Sequence, residues 1–226
     1  MSTYLITGAT RGIGRAVVDE LAGDDLILMA RDSEALGMLC KSLPSARSVA
    51  VDFAHPEAIG AAIGAAGLPD RLDGIVHSAA LSRLGRLAEM TPADWTGQLN
   101  VNVIAVAELT RCTLPALRAA RGTAVFVNSG AGQRVAGAGI GPYAASKHAL
   151  VALADALRIE EPEVRVTTVF PGRTATDMQR ELRVYEGAEY RPGDFMPPGR
   201  VARVIADALR LPQDAAIEDI RIVPRH

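Results

Sequence analysis

Cysteine is nearly absent from this chain: Cys40 and Cys112 are the two in 226 residues. Neither lies in a C-x-x-C pair or near a histidine at ligand spacing, which excludes a cysteine metal site and a disulfide framework. Both read as buried thiols in a reducing compartment. Aromatic residues are scarce, at 4%, so Ala, Val, Leu and Ile must fill the core that an apolar fraction of 49% implies. Charge of one sign is lacking too: 24 basic residues face 26 acidic ones for a net −2, with arginine far outnumbering lysine. Without a long run of either sign there is no electrostatic ground for a nucleic-acid or membrane-surface partner. No apolar run is long enough to span a bilayer, and no basic segment precedes the first apolar stretch. A soluble, cytoplasmic protein with no metal site is expected.

What the chain does have is alternation. Short apolar runs at Tyr4–Thr7, Leu26–Ala30, Ser48–Val51, Gly74–His77, Thr123–Val127, Val164–Phe170 and Ile220–Val223 are separated by amphipathic stretches. Most runs are continuously apolar, the pattern of strands covered on both faces in a parallel sheet. Helices are predicted over Gly12–Ala22, Ser33–Leu43 (capped by Asp32 or Ser33), Pro56–Ala66, Pro142–Glu160 and Pro198–Leu211. Another starts at Pro92 behind a Thr91 cap and runs to about Ala120, bent at Pro115. The fold class is therefore α/β: a doubly wound, Rossmann-like parallel sheet of about seven strands with helices on both faces. Residues 1–226 form one domain, since no repeat or interior linker divides them. The longest irregular stretch, Arg173–Pro198, is rich in Gly, Pro and charge, as lids over sites are.

Chemistry begins at Thr7-Gly8-Ala9-Thr10-Arg11-Gly12-Ile13-Gly14, between the first strand and the first helix. Glycines there let the backbone turn tightly and approach a pyrophosphate, which the free N–H groups and dipole of the helix start would hold. Tyr143 and Lys147 stand four apart on one helix face. A phenol titrates near pH 10, too high for useful acid–base work, and a neighbouring ammonium lowers that value. At the end of the second strand stands Arg31, with Arg11 in the glycine turn. Two guanidinium forks suit a ribose 2′-phosphate, whereas an acid there would suit a free 2′-OH. NADP(H) is favoured over NAD(H), with Asp32 the one mild counter-indication.

The T-G-x-x-x-G-x-G turn followed by Y-x-x-x-K resembles the short-chain dehydrogenase/reductase family, and further landmarks follow in order from Thr3 to about Met178. The resemblance implies hydride transfer between the nicotinamide cofactor and a carbonyl or alcohol carbon of a small molecule, and the NADP(H) preference suggests reduction as the working direction. It assigns Tyr143 as general acid/base, Lys147 as its activator and Ser129 as the hydrogen-bond donor to the substrate oxygen. Asn102 would bend its helix and support a proton relay, with Asn100 as the competing choice. Cofactor contacts would come from Gly8, Thr10, Arg11, Gly12, Ile13 and Gly14, from Arg31, and from Asp52 near the adenine. Ala79, Tyr143, Lys147 and the segment carrying Pro171, Gly172, Thr174 and Thr176 complete the set.

Asn128 stands where many members have serine, and His77-Ser78-Ala79-Ala80 replaces the family's N-N-A-G. His77 reads as structural, and His148 carries no role. Pocket residues are expected from Ala131–Ile140 and Arg173–Pro197. A homodimer or homotetramer through the helices of Asn102 and Tyr143 is implied, with small residues such as Ala144, Ala145 and Ala152 allowing close packing. A non-catalytic nucleotide-binding regulatory or scaffold protein is the alternative, disfavoured by the intact Tyr/Lys/Ser set. A sugar-nucleotide epimerase or dehydratase would need room for a substrate domain.

Overall fold

The computed structural model describes residues 1–225. Seven strands, β1 (Thr3–Thr7), β2 (Asp25–Ala30), β3 (Ala46–Ala50), β4 (Gly74–His77), β5 (Thr123–Val127), β6 (Arg165–Pro171) and β7 (Asp219–Ile222), form one sheet. Every pairing is parallel and the order is β3-β2-β1-β4-β5-β6-β7. The predicted runs fall within a few residues of these strands.

The continuously apolar strands serve two cores. Leu5, Ile27, Ile75 and Phe126 face a layer made by α3 (Ile59–Ala66), α5 (Ala105–Ala120) and α6 (Gly141–Glu160). Tyr4, Ile6, Leu28, Val76 and Val125 face α1 (Gly12–Glu20), α2 (Ser33–Lys41) and α8 (Pro198–Leu209). Most of these side chains are fully buried, each contributing about 1.5–3 kcal/mol. Asp32 caps α2 by accepting from the Ala35 N–H at 3.0 Å. Thr91 and Asp94 form a capping box at the start of α4 (Pro92–Leu99), with Pro92 in its first turn.

Three expectations need correction. The helix from Pro92 departs from α geometry at Asn100–Ile104, a π turn, and α5 then continues unbroken through Pro115. The stretch from Arg173 is not irregular throughout: α7 spans Asp177–Tyr185, capped by Thr176, and a 3-10 turn follows at Pro192–Asp194. The longer run without helix or strand is 78–91. Cys40 and Cys112 are free thiols but only half-buried. No helix among the described residues is long and apolar enough to cross a membrane.

Between β1 and β4 the strand order reverses direction, which opens a crevice at the carboxyl ends of these strands. The glycine turn lies there, and β5 ends beside it.

Candidate active site

The loop from β1 to α1 is shaped by backbone constraints. Gly8 has φ +66°, and a Cβ on it would lie 3.0 Å from Ala79 Cα. A Cβ on Gly14 would lie 2.3 Å from the Gly8 carbonyl oxygen, so the first turn of α1 can close against the loop only without a side chain. Thr7 pins the loop to the end of β4. Its hydroxyl donates to the Val76 carbonyl at 3.3 Å and accepts from the N–H groups of Ser78 and Ala79 at 2.9 and 3.0 Å. At the start of α1, Arg11 makes no side-chain cap and the first turn holds no acid. Its free N–H groups and dipole thus suit an anion.

Arg11 and Arg31 are exposed, and among the described residues neither enters an ion pair. The Val51 N–H donates to the Ala30 carbonyl at 3.0 Å, which sets Asp52 beside the Arg31 junction. The Asp52 carboxylate accepts from the Ala54 N–H at 3.0 Å in a local turn. On the far side, Thr176 Cγ2 comes within 3.4 Å of where a Gly12 Cβ would stand, so α7 begins against the glycine turn. Thr174 donates to the Gly172 carbonyl at 2.9 Å and Thr176 to the Thr174 carbonyl at 3.3 Å, ordering the segment after Pro171. A cleft of about 480 Å³ opens along α1, α7 and the start of α8, lined in part by Gly12, Thr176 and Tyr190. It does not extend to Ser129 or Tyr143. These residues fit a dinucleotide: a tight uncapped turn for phosphates, with exposed Arg11 in that turn and exposed Arg31 at the end of β2.

Ser129 follows β5, and its hydroxyl accepts from the Ala131 N–H at 3.1 Å. Lys147, buried on α6, donates to the Val127 carbonyl at 2.9 Å, and its Nζ lies 5.8 Å from the centre of the Tyr143 ring. Burial pushes the ammonium down to about 8. The expected lowering of the phenol is not what the chain's own groups produce. Burial raises the Tyr143 phenol above its ordinary value, while the Ser129 side chain acts in the opposite direction. The Lys147 ammonium spends its hydrogen bond on the Val127 carbonyl and not on the phenol.

Asn102, buried in the π turn, accepts from the Leu81 N–H at 2.8 Å. It donates to the Leu81 carbonyl and to Ser146 Oγ, each at 2.9 Å. Ser146 in turn donates to the Tyr143 carbonyl at 2.7 Å. Asn100, the competing residue, instead donates to the Ala54 carbonyl at 3.1 Å, away from this network.

Two contributors were given no role by the sequence. Gln98, fully buried, shares the Leu81 carbonyl with Asn102 and accepts from the Arg83 N–H at 2.8 Å. Asn128 accepts from the Ser129 N–H at 2.8 Å and donates to the Lys147 carbonyl at 3.1 Å, joining the end of β5 to α6. An amide at either position was the available signal, since buried amides are paired.

Comparison with known proteins agrees with this geometry. The family model described as short chain dehydrogenase matches residues 2–186. The chain belongs to the short-chain dehydrogenase family. Among its relatives, this short-chain dehydrogenase is 28% identical to an uncharacterized short-chain type dehydrogenase/reductase, y4eK, of Sinorhizobium fredii, over 97% of this chain and 90% of the relative. It is 32% identical to oxidoreductase UcpA of Escherichia coli K12, over 80% of this chain and 72% of that one. An alcohol dehydrogenase from the archaeon Thermococcus sibiricus, solved with 5-hydroxy-NADP, superposes with a TM-score of 0.86 at 26% identity, covering 98% of this chain and 96% of that one. A short-chain dehydrogenase from Shigella flexneri, solved with NADP, gives 0.83 at 26% identity, with 97% and 95% covered. The family makes this protein an oxidoreductase on a Rossmann-like sheet.

Proposed function

We propose that the chain is an NADP(H)-dependent carbonyl reductase or alcohol dehydrogenase acting on a small molecule. One observation carries this reading. Ser129, Tyr143 and Lys147 converge at the carboxyl ends of the strands, where the uncapped glycine turn lies. When bound, the nicotinamide would supply or receive the hydride. Tyr143 gives its phenolic proton to the carbonyl oxygen as the carbon is reduced, and takes it back in the reverse direction. Ser129 donates a hydrogen bond to that oxygen. Lys147, mostly protonated at neutral pH with its value near 8, stabilises the phenolate that proton transfer leaves. Burial holds the proton on Tyr143 until the substrate oxygen draws it off.

The cofactor would be held by Gly8, Thr10, Arg11, Gly12, Ile13 and Gly14 at its phosphates and by Arg31 with Arg11 at the 2′-phosphate. Asp52 would meet the adenine, and Ala79, Pro171, Gly172, Thr174 and Thr176 the nicotinamide side. The assembly proposed is a homodimer or homotetramer through α5 and α6. In its favour, Ala145, Ala152 and Ile104 are exposed on that side.

Titration of the protein with NADPH and NADH, followed by nicotinamide fluorescence, tests the cofactor reading. NADPH should bind more tightly, and Arg31→Asp should weaken NADPH by about ten- to a hundredfold, with NADH nearly unaffected. Equal losses for both cofactors would show that Arg31 does not read the phosphate. Binding of neither would favour the scaffold alternative.

A further inference from the structure

Four large apolar side chains stand exposed on two loops and the end of α7: Leu87 (68%), Val135 (55%), Val184 (74%) and Tyr185 (42%). Two of them, Leu87 and Tyr185, meet just before α6. The Gly85 N–H donates to the Gly139 carbonyl at 2.9 Å. A Cβ on Gly139, where φ is +77°, would lie 2.2 Å from the Tyr185 hydroxyl oxygen, and a Cβ on Gly141 would lie 2.7 Å from Leu87 Cδ2. Leu87 and Tyr185 therefore rest on the same short stretch, Gly139-Ile140-Gly141, immediately before Tyr143. Single exposed apolar side chains need no explanation, but a pair that meets beside a proton donor resembles the wall of a ligand site.

Carboxylates are few on the two loops that carry Leu87 and Val135. Between 81 and 90 the one carboxylate is Glu89, which accepts from the Arg86 N–H at 3.3 Å, and 131–140 has none. Arg83 is paired with Asp94. Arg86 and Arg134 stand on these two loops, while α7 brings the exposed Glu181 and is followed by Glu186, which is paired with Arg173 and Arg183.

We infer that the substrate is a ketone or aldehyde with an extended hydrocarbon body seated on Leu87 and Tyr185, not a polyol. This rests on the carbonyl-reduction reading above, because it names what that chemistry acts on. The test is a series of straight-chain 2-ketones, from butanone to decanone, with dihydroxyacetone as the polar comparison. NADPH oxidation and calorimetric binding to the NADPH complex are both measured.

The expected result is a kcat/KM rising about two- to fourfold per added methylene, mainly through KM, until the seat is filled. Leu87→Ser and Tyr185→Ser should each flatten that rise while leaving butanone turnover and NADPH affinity nearly unchanged. Leu87 lies on an exposed loop, so its variant serves if Tyr185→Ser does not fold. A flat series, or preference for dihydroxyacetone, would overturn the inference and leave carbonyl reduction standing. Chain-length-dependent binding without turnover would keep the apolar seat and remove the reaction. Neither binding nor turnover with any ketone would overturn both.

Discussion

Lys147 carries its charge in a place that disfavours charge. Burial lowers its value from 10.5 to about 8, and one carbonyl, that of Val127, is its hydrogen-bond partner. Below pH 8 both the folded and the unfolded chain hold the proton, so the cost of burying it is fully present there. That cost fades as pH rises towards 10.5. Lys147→Met should therefore abolish turnover yet raise stability at pH 7 by about 1–3 kcal/mol, read by urea unfolding. A variant less stable than the parent would contradict this.

His77 presents the mirror case. The Thr110 hydroxyl donates to the Val106 carbonyl at 2.8 Å and so accepts from His77 Nε2, 3.1 Å away. Nδ1 is buried without a partner among the described residues, the ring stacks on Phe126, and burial lowers its value to about 3. Below about pH 6.5 the unfolded chain takes a proton that the folded one refuses. Stability should thus fall by up to about 1.4 kcal/mol per pH unit between pH 6.5 and 3. His77→Gln should remove that slope, and unchanged pH dependence would show that His77 does not set it. The structural role of His77 was legible from its place at a strand end. Its orphaned nitrogen was not, because the partners of a buried ring come from distant elements.

At the scale of elements, the π turn at Asn100–Ile104 matters most. It inserts Asn102 between the 78–91 segment and α6, where one side chain satisfies both backbone groups of Leu81 and reaches Ser146. Asn102→Ala should cost about 2 kcal/mol by stranding the Leu81 N–H. It should also lower kcat, since α6 loses its brace beside Tyr143. Full activity at unchanged stability would contradict the bracing role. The strands were readable because parallel strands buried on both faces are apolar throughout. The π turn was not, because nothing in Asn-Val-Asn-Val-Ile separates it from an α turn, and Pro115 was the more visible breaker. Helix α7 was hidden by its many charges, although Thr176 followed by Asp177 was a cap signal on the page.

In the whole molecule, strand order gathers residues that are remote in sequence. β1 supplies the glycine turn, β2 delivers Arg31, β5 delivers Ser129, and α6 returns Tyr143 and Lys147 over the end of β5. Glycine spacing, the Tyr/Lys interval and chain order made this gathering legible beforehand. Thr7, Gln98 and Asn128, which tie the pieces together, were not, since their partners are backbone groups that only the fold brings near. The central claim is that this assembly couples hydride transfer to a proton from Tyr143. Its most direct test is the paired measurement of NADPH affinity and ketone reduction in Tyr143→Phe. The account predicts unchanged NADPH affinity with kcat reduced by about 10²- to 10⁴-fold. Turnover equal to that of the parent protein would contradict it.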